Sequence, residues 1–180
     1  YLTSFPKCFF LAYFLSRYAN SSRDKYAFSR ETNTESALTK MLETFVSKVG
    51  TEDSYEDIIL ASMVEREGYN STDRAMIADI LQRRYQEGWL LQVDATLLYP
   101  KKDWSHTITN VDKEDDNPYN TYKYPGLPPT PICNPGLQSI NAVRNPQPNN
   151  YYYYIHEDDG TAHYGTTLND HINNVNKYLR

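Results

Sequence analysis

Apolar residues recur at helical spacing in three consecutive segments of the first half of the chain. Positions three and four apart lie on one face of an α-helix, so this pattern predicts helices over residues 34–49, 54–67 and 71–88. A glycine stands at, or directly after, the end of each segment, and glycine is common where helices end. The first half of the chain is therefore expected to be helical.

The second predicted helix differs from the other two because its centre has no polar face. Residues 58–64 read Ile-Ile-Leu-Ala-Ser-Met-Val, and a helix that is apolar on all sides is buried on all sides. Ser54 and Asp57 predict a capping box at its start, with Asp in place of the usual Glu or Gln.

The pattern changes after Gly88, where polar, acidic and proline-rich stretches predominate. Residues 101–118 are expected to form a solvated loop, because polar residues and a cluster of acids replace the apolar repeat. Residues 125–148 are expected to be mostly ordered loop, with one short helix at 137–144.

Two strands and one further helix are predicted at the C-terminal end. Residues 151–155 and 161–164 are typical of strands, and an acidic turn that ends in glycine separates them. Thr167 is placed to cap a closing helix. The fold class is α+β: a helical half, then a loop-rich half with a β-hairpin and a closing C-terminal helix.

Composition excludes several classes of function. Eighteen basic against 23 acidic residues give a net charge of −5, without the basic patch of a nucleic-acid binder. Two cysteines, Cys8 and Cys133, are too few for a disulfide framework or a four-cysteine zinc site. The four histidines lack the spacing of metal ligands, so neither a metal nor a cofactor is expected. Seventeen tyrosines suit polar, sugar-like ligands.

An apolar run lies near the start, at residues 8–15. It is far shorter than the roughly 20 residues that a membrane-spanning helix needs, so we expect a buried helix or strand there.

Two carboxylates, Glu65 and Glu67, lie at the end of the apolar helix. At 100° per residue they point to opposite sides, with Glu65 on the face of Ile58. The negative end of the helix dipole and partial burial both raise the pKa of Glu67. A glutamate that holds its proton near neutral pH suits general acid catalysis. The alternative is that both are ordinary charges at a helix end; Glu65 could also pair with Arg74 or Arg84.

Four blocks of sequence resemble the YceG-like family, the endolytic murein transglycosylases. They read ASMVEREG at 61–68, DRAMIADILQRRYQEGWLLQVDATLLY at 73–99, YNTYKYPGLPPTPICNPGLQSINAVRNP at 119–146 and YYYYIHEDDGTAHYGTTLNDHINNV at 151–175. The resemblance implies a catalytic domain over residues 26–180, preceded by a divergent N-terminal segment at 1–25.

The resemblance implies cleavage of the β-1,4 bond between N-acetylmuramic acid and N-acetylglucosamine within peptidoglycan strands. No water is added, because the 6-hydroxyl of the muramic acid closes a 1,6-anhydro ring. One carboxyl group serves first as acid and then as base, and the family's catalytic glutamate falls on Glu67. A non-catalytic peptidoglycan-binding or scaffold module is the main alternative. A hydrolase that uses Glu67 with a second carboxylate, such as Asp94, is another.

The matching blocks also imply supporting residues. Gln92 and Asp94 are expected to bind sugar hydroxyl or acetamide groups, or to orient Glu67; Asp94 could instead cap a short turn at 95–99. Glu65 and Arg74 are expected to support the site. Further substrate-binding candidates are Tyr119, Asn120, Thr121, Tyr122 and Asn134. Asn120 is favoured among them, and for Asn134 a role in a turn is favoured over substrate binding.

The resemblance also implies where the protein acts. Its partners would be peptidoglycan glycan strands and enzymes of cell-wall synthesis, at the extracytoplasmic face of the bacterial cytoplasmic membrane. The family's membrane anchor and LysM-like region are not recognisable in this sequence, so an anchor is expected upstream of Tyr1.

Overall fold

The computed structural model describes residues 26–50 and 53–179. The chain divides into two compact units between Asp53 and Ser54. The segment predicted over residues 8–15 lies outside the described residues.

The described part of the first unit contains helix α1, Thr34–Val49, which confirms the prediction. The side chain of Asn33 caps its start by accepting a hydrogen bond from the Ser36 amide at 2.8 Å. Gly50 ends the helix with φ of +83°, a value in the region that favours glycine.

The second unit is a group of helices with a two-stranded antiparallel sheet. In the ladder, Tyr154 lies opposite Tyr164, and Ile155 lies opposite His163. The elements confirm the α+β prediction. They are α2 (Tyr55–Glu67), α3 (Ser71–Gln86), α4 (Asp94–Lys101), α5 (Asn110–Glu114), α6 (Leu137–Arg144), β1 (Tyr153–His156), β2 (Ala162–Gly165) and α7 (Leu168–Tyr178).

Helix α2 lies at the centre of this unit. Its capping box of Ser54 and Asp57 forms as predicted, and every residue of its central segment is buried. Helices α3 and α6 pack against it and against each other, and α4 also contacts it. Because α2 exposes no polar face, burial on every side is the arrangement that keeps its apolar residues from water.

A proline-rich loop is attached to α2 through Ser62. The Ser62 hydroxyl donates to the carbonyl of Ile59 at 2.7 Å and accepts from the amide of Ile132 at 3.0 Å. The Sγ of Cys133 lies 3.1 Å from the Ser62 carbonyl. This buried serine therefore satisfies a backbone donor that would otherwise lack a partner.

Two adjacent arginines of α3 attach the segment that leads into β1. Arg83 donates to the carbonyls of Asn149 and, at 2.6 Å, of Tyr151. Arg84 donates from Nε to the carbonyl of Tyr152 at 2.8 Å. Helix α7 then packs on both strands. These contacts place β1 beside the C-terminal end of α2.

The expectation of a solvated loop at 101–118 was wrong in part. Helix α4 reaches Lys101, the short helix α5 follows, and Asp112 is only 6% exposed. Lys101 Nζ lies 2.8 Å from the Asp112 carboxylate, and the Thr109 hydroxyl and His106 also contact it. A buried carboxylate is stable when charged and hydrogen-bonding partners surround it. The sequence did not show which partners would meet.

Other differences are small. Helix α3 ends at Gln86 rather than Gly88, because Glu87 occupies the C-cap, and both strands begin later than predicted. The short helix at 137–144 and the Thr167 cap are confirmed. Among the described residues, no helix is both long and apolar enough to cross a membrane.

Replacement of Ser62 tests the attachment between α2 and the loop. Ser62→Ala leaves the Ile132 amide buried without an acceptor, and we expect the free energy of unfolding to fall by about 1–3 kcal/mol. Urea denaturation followed by circular dichroism measures this loss. Ser47→Ala, at an exposed position of α1, is the control and should change stability by less than about 0.5 kcal/mol. Equal losses of stability in the two variants would contradict the role of Ser62 as the acceptor for the Ile132 amide.

Candidate active site

A cleft of about 600 Å³ opens where the end of α2 meets the start of α4, strand β1 and helix α7. Its wall combines polar groups with apolar side chains of α7. The volume is within the range of small-ligand sites. The titratable residues along its wall are Glu67, Arg84, Asp94, Lys113, Tyr122, Tyr153, Tyr154, His156 and His171.

Glu67 is the last residue of α2, and its partly buried side chain lines the cleft. The Tyr154 hydroxyl donates to Glu67 Oε2 at 3.1 Å. Burial is the main reason why the pKa of Glu67 is raised to about 7, and the nearby charge of Asp94 acts in the same direction. The hydrogen bond from Tyr154 and the charge of His156 oppose this rise. The carboxyl group can therefore both give and take a proton near neutral pH.

Glu65 points away from this cleft, as its position on the helix predicts. Its Oε2 accepts from the amide of Gly136 at 3.1 Å and from the hydroxyl of Ser139 at 2.5 Å. The alternative in which Glu65 pairs with an arginine was wrong. Arg74 donates to Gln138 at 3.3 Å, and Arg84 donates to backbone carbonyls. The contacts of Glu65 and Arg74 fix the position of α6 and are not part of the cleft.

Asp94 and Gln92 both line the cleft with Glu67. Asp94 is the first residue of α4 and accepts from the Tyr122 hydroxyl at 2.5 Å. The cap position belongs to Val93, so the alternative in which Asp94 caps a turn was wrong. Gln92 has φ of +55° and an exposed side chain. Such a conformation is strained for a residue other than glycine, and strain of this kind is common at functional sites.

Asn120 holds backbone rather than facing the cleft. Its side chain is fully buried, donates to the carbonyls of Lys113 at 3.0 Å and Asp115 at 2.8 Å, and accepts from the amide of Tyr122 at 2.9 Å. The expectation that Asn120 contacts substrate is not compatible with this position. Its contacts instead fix the loop that carries Tyr122.

The other candidates from this part of the sequence also lie away from the cleft. The Thr121 hydroxyl is buried and accepts from the Val93 amide at 3.0 Å. The Tyr119 hydroxyl lies 2.7 Å from that of Thr130. Neither these two residues nor Asn134 lines the cleft. Of the predicted substrate-binding residues, the structure thus brings Gln92, Asp94 and Tyr122 together with Glu67.

Strand β1 supplies cleft residues that sequence reasoning missed. Tyr154 and His156 lie two positions apart and so share a face of the strand. His156 Nε2 lies 2.9 Å from Asp73, which also accepts from the Tyr164 hydroxyl at 2.6 Å. Although burial opposes ionisation, these hydrogen bonds and one from the Tyr69 amide lower the pKa of Asp73. The alternation of the strand was visible in the sequence, but its proximity to the end of α2 was not.

The described residues contain no group of three or more His, Cys, Asp or Glu side chains that is arranged to hold a metal ion.

Removal of the Tyr154 hydroxyl should raise the pKa of Glu67 above its value of about 7. The hydroxyl donates to the carboxylate and so favours the charged form, which Tyr154→Phe disfavours. NMR titration of the glutamate side-chain carboxyl carbons measures the change. Tyr152→Phe is the control, because its hydroxyl donates to Glu87 instead. A pKa that falls or stays constant in Tyr154→Phe would contradict the assigned hydrogen bond.

The raised pKa also predicts how stability depends on pH. Between pH 4.5 and about 7, folded Glu67 holds a proton that the unfolded chain releases, so Glu67 makes the protein less stable as pH rises through this window. We expect Glu67→Gln to be more stable than the wild type at pH 8, by up to about 3 kcal/mol. At pH 4 the two proteins should unfold at similar urea concentrations. A gain of equal size at both pH values would show a cause other than ionisation.

Comparison with known proteins places these observations in a family. The model of the YceG-like family matches residues 22–177. A protein of Bacillus subtilis strain 168 named endolytic murein transglycosylase is 34% identical over 122 residues, which cover 68% of this chain and 34% of that protein. A protein of the same name from Streptococcus pneumoniae D39 is 28% identical over 151 residues, covering 79% of this chain and 27% of that protein.

A solved structure shows the same fold. The 2.6 Å crystal structure of a YceG-like protein from Listeria monocytogenes superimposes with a TM-score of 0.72 at 26% sequence identity. The match covers 91% of this chain and 63% of that one. The chain spans between about a quarter and a third of the length of the two curated relatives. The matched residues and the shared fold show that this chain belongs to the YceG-like family.

Proposed function

We propose that residues 26–180 contain the catalytic domain of an endolytic murein transglycosylase. It would cleave the β-1,4 bond between N-acetylmuramic acid and N-acetylglucosamine inside glycan strands and leave 1,6-anhydro ends. The observation that carries this proposal is the position of Glu67 in the cleft, with a pKa raised to about 7. The names of the curated relatives support the choice of substrate.

In this mechanism Glu67 acts twice. The protonated carboxyl group gives its proton to the glycosidic oxygen as the bond from that oxygen to C1 of the muramic acid breaks. The resulting carboxylate then takes the proton of the 6-hydroxyl, whose oxygen bonds to C1 and closes the ring. No water is consumed, and Glu67 ends protonated, as it began. A pKa near the working pH suits a group that serves as both acid and base.

Neighbouring side chains give Glu67 its orientation and its proton affinity. Tyr154 donates to one carboxyl oxygen and so leaves the other oxygen for the substrate. The hydrogen-bonded pair of Asp94 and Tyr122 forms a polar edge on the same cleft, suited to sugar hydroxyl and acetamide groups. Gln92 adds an exposed amide beside them.

A glycoside hydrolase is the second candidate, and one observation favours it. Asp94 lines the same cleft, and its charge contributes to the raised pKa of Glu67. Most glycoside hydrolases use two carboxyl groups that flank the glycosidic bond. A hydrolase would leave reducing ends instead of anhydro ends. A peptidoglycan-binding or scaffold module without catalysis would bind strands and release no product.

The proposed substrate also implies a location. Peptidoglycan lies outside the cytoplasmic membrane of bacteria, so we infer that the domain acts at the extracytoplasmic face, held there by an anchor upstream of these residues. Enzymes of cell-wall synthesis are the partners proposed for it, because they produce the strands that it would cut.

Mass spectrometry of glycan fragments tests the activity directly. We expect wild-type protein to release fragments with anhydro ends, and Glu67→Gln to lower the rate about 100-fold or more, because the general acid is lost. Glu56→Gln changes an exposed carboxylate of the same helix and is the control; it should keep its activity. Products with added water would favour the hydrolase, and binding without any product would favour the scaffold module.

A further inference from the structure

Arg84 is a buried cation in the wall of the cleft, only 5% exposed. Its Nε donates to the carbonyl of Tyr152 at 2.8 Å, and its Nη1 donates to the carbonyls of Leu91 at 2.9 Å and Leu90 at 3.3 Å. All three acceptors are neutral. Within the described part of the chain, no carboxylate forms an ion pair with Arg84, and no acceptor contacts Nη2.

A buried guanidinium without a counter-ion is unusual, because removal of a charge from water is costly unless an opposite charge compensates it. The positive charge of Arg84 acts on Tyr154, Tyr153 and Tyr122, and carboxylates are not among its close electrostatic neighbours. Because Arg84 lines the cleft and the described residues offer Nη2 no acceptor, Nη2 is the nitrogen left for a ligand there.

The charges of Arg84 and Glu67 act on the same two tyrosines of the cleft. Tyr154 donates to Glu67 and is also within the electrostatic reach of Arg84, and the same two charges act on Tyr122. The wall of the cleft therefore carries two carboxyl groups, those of Glu67 and Asp94, and the guanidinium group of Arg84. Tyr153 also lines the cleft, and the centre of its ring lies 5.1 Å from the guanidinium carbon of Arg84.

The other cations of the cleft compete little with Arg84 for an anion. Burial and the charge of Arg84 both lower the pKa of His171, which favours its neutral form. His156 is already held by Asp73. Lys113 Nζ lies over the ring of Tyr122 at 4.6 Å from its centre. Arg84 is thus the buried cation whose planar guanidinium group is available to bind a carboxylate.

We propose that Arg84 forms an anion subsite that binds a carboxylate carried by a muramic acid residue of the glycan strand. This inference rests on the proposed function, because it concerns the same cleft and substrate. Muramic acid differs from N-acetylglucosamine by a lactyl ether that ends in a carboxyl group. That group is a free carboxylate in strands without stem peptides. In strands with stem peptides it is an amide, and the carboxylates belong to the peptide.

The test measures binding of strands to Glu67→Gln, which prevents turnover. Isothermal titration calorimetry compares strands without stem peptides, the same strands with the lactyl carboxylate converted to a methylamide, and strands that carry stem peptides. A hydrogen bond to a charged group contributes about 1.5–3 kcal/mol, so we expect the free carboxylate to bind at least about tenfold more tightly than the methylamide. Tighter binding of the stem-bearing strands than of both others would assign the subsite to a peptide carboxylate.

Arg83 supplies a matched control for the structural role of Arg84. It precedes Arg84 on α3 and also donates to backbone carbonyls next to β1, but it does not line the cleft. In the Glu67→Gln background, Arg84→Gln should remove the preference for the carboxylate, and Arg83→Gln should retain it. Thermal unfolding shows whether each variant is folded. If Arg84→Gln is not folded, the comparison of the three kinds of strand on Glu67→Gln decides whether the anion subsite exists.

Equal affinities for all three kinds of strand would overturn the inference. Product analysis of the wild-type protein separates this failure from that of the proposed function. Strands that are cut to anhydro ends but bound without preference would refute the anion subsite alone. Strands that are neither bound nor cut would refute both.

Discussion

The burial of α2 is the constraint on which the rest of the second unit depends. A helix that is apolar on every side is stable in water only if other elements surround it, and α3, α4 and α6 do so here. The last turn of such a helix cannot be fully solvated. Glu67 is therefore held at the boundary between the packed interior and the cleft, where its surroundings rather than its own chemistry set its proton affinity.

Two opposing effects meet at that boundary. Burial disfavours the charged carboxylate, and the Tyr154 hydroxyl with the charge of His156 favours it. Both of these residues belong to β1, and the arginine contacts of α3 determine where β1 lies. The pKa of Glu67, which burial raises, is thus moderated by a strand more than 80 positions later in the chain.

The helices could be predicted from sequence because their causes are local. Apolar spacing, the Ser54 capping box and the Thr167 cap act within a few residues, and the structure has these elements where the pattern indicates them. The raised pKa of Glu67 could be predicted for a similar reason, since its place at the end of a buried helix is visible in the sequence. The resemblance to a family brought Gln92, Asp94 and Tyr122 into the candidate site.

What could not be predicted depends on contacts between distant segments. Glu65 meets Gly136 and Ser139, about 70 positions away, rather than an arginine. Asn120 has a polar side chain typical of sugar recognition, yet its amide is used to hold backbone carbonyls. A residue type indicates which hydrogen bonds a side chain can make, but only the fold decides which partners it meets.

The carboxylate of Asp73 couples three segments of the chain energetically. It accepts from His156 of β1, from Tyr164 of β2 and from the amide of Tyr69 just after α2. Residues that share one partner have non-additive effects on stability, because loss of that partner already removes the hydrogen bonds that the other residues contribute. We therefore expect the effects of replacing Asp73, His156 and Tyr164 on stability to be coupled rather than additive.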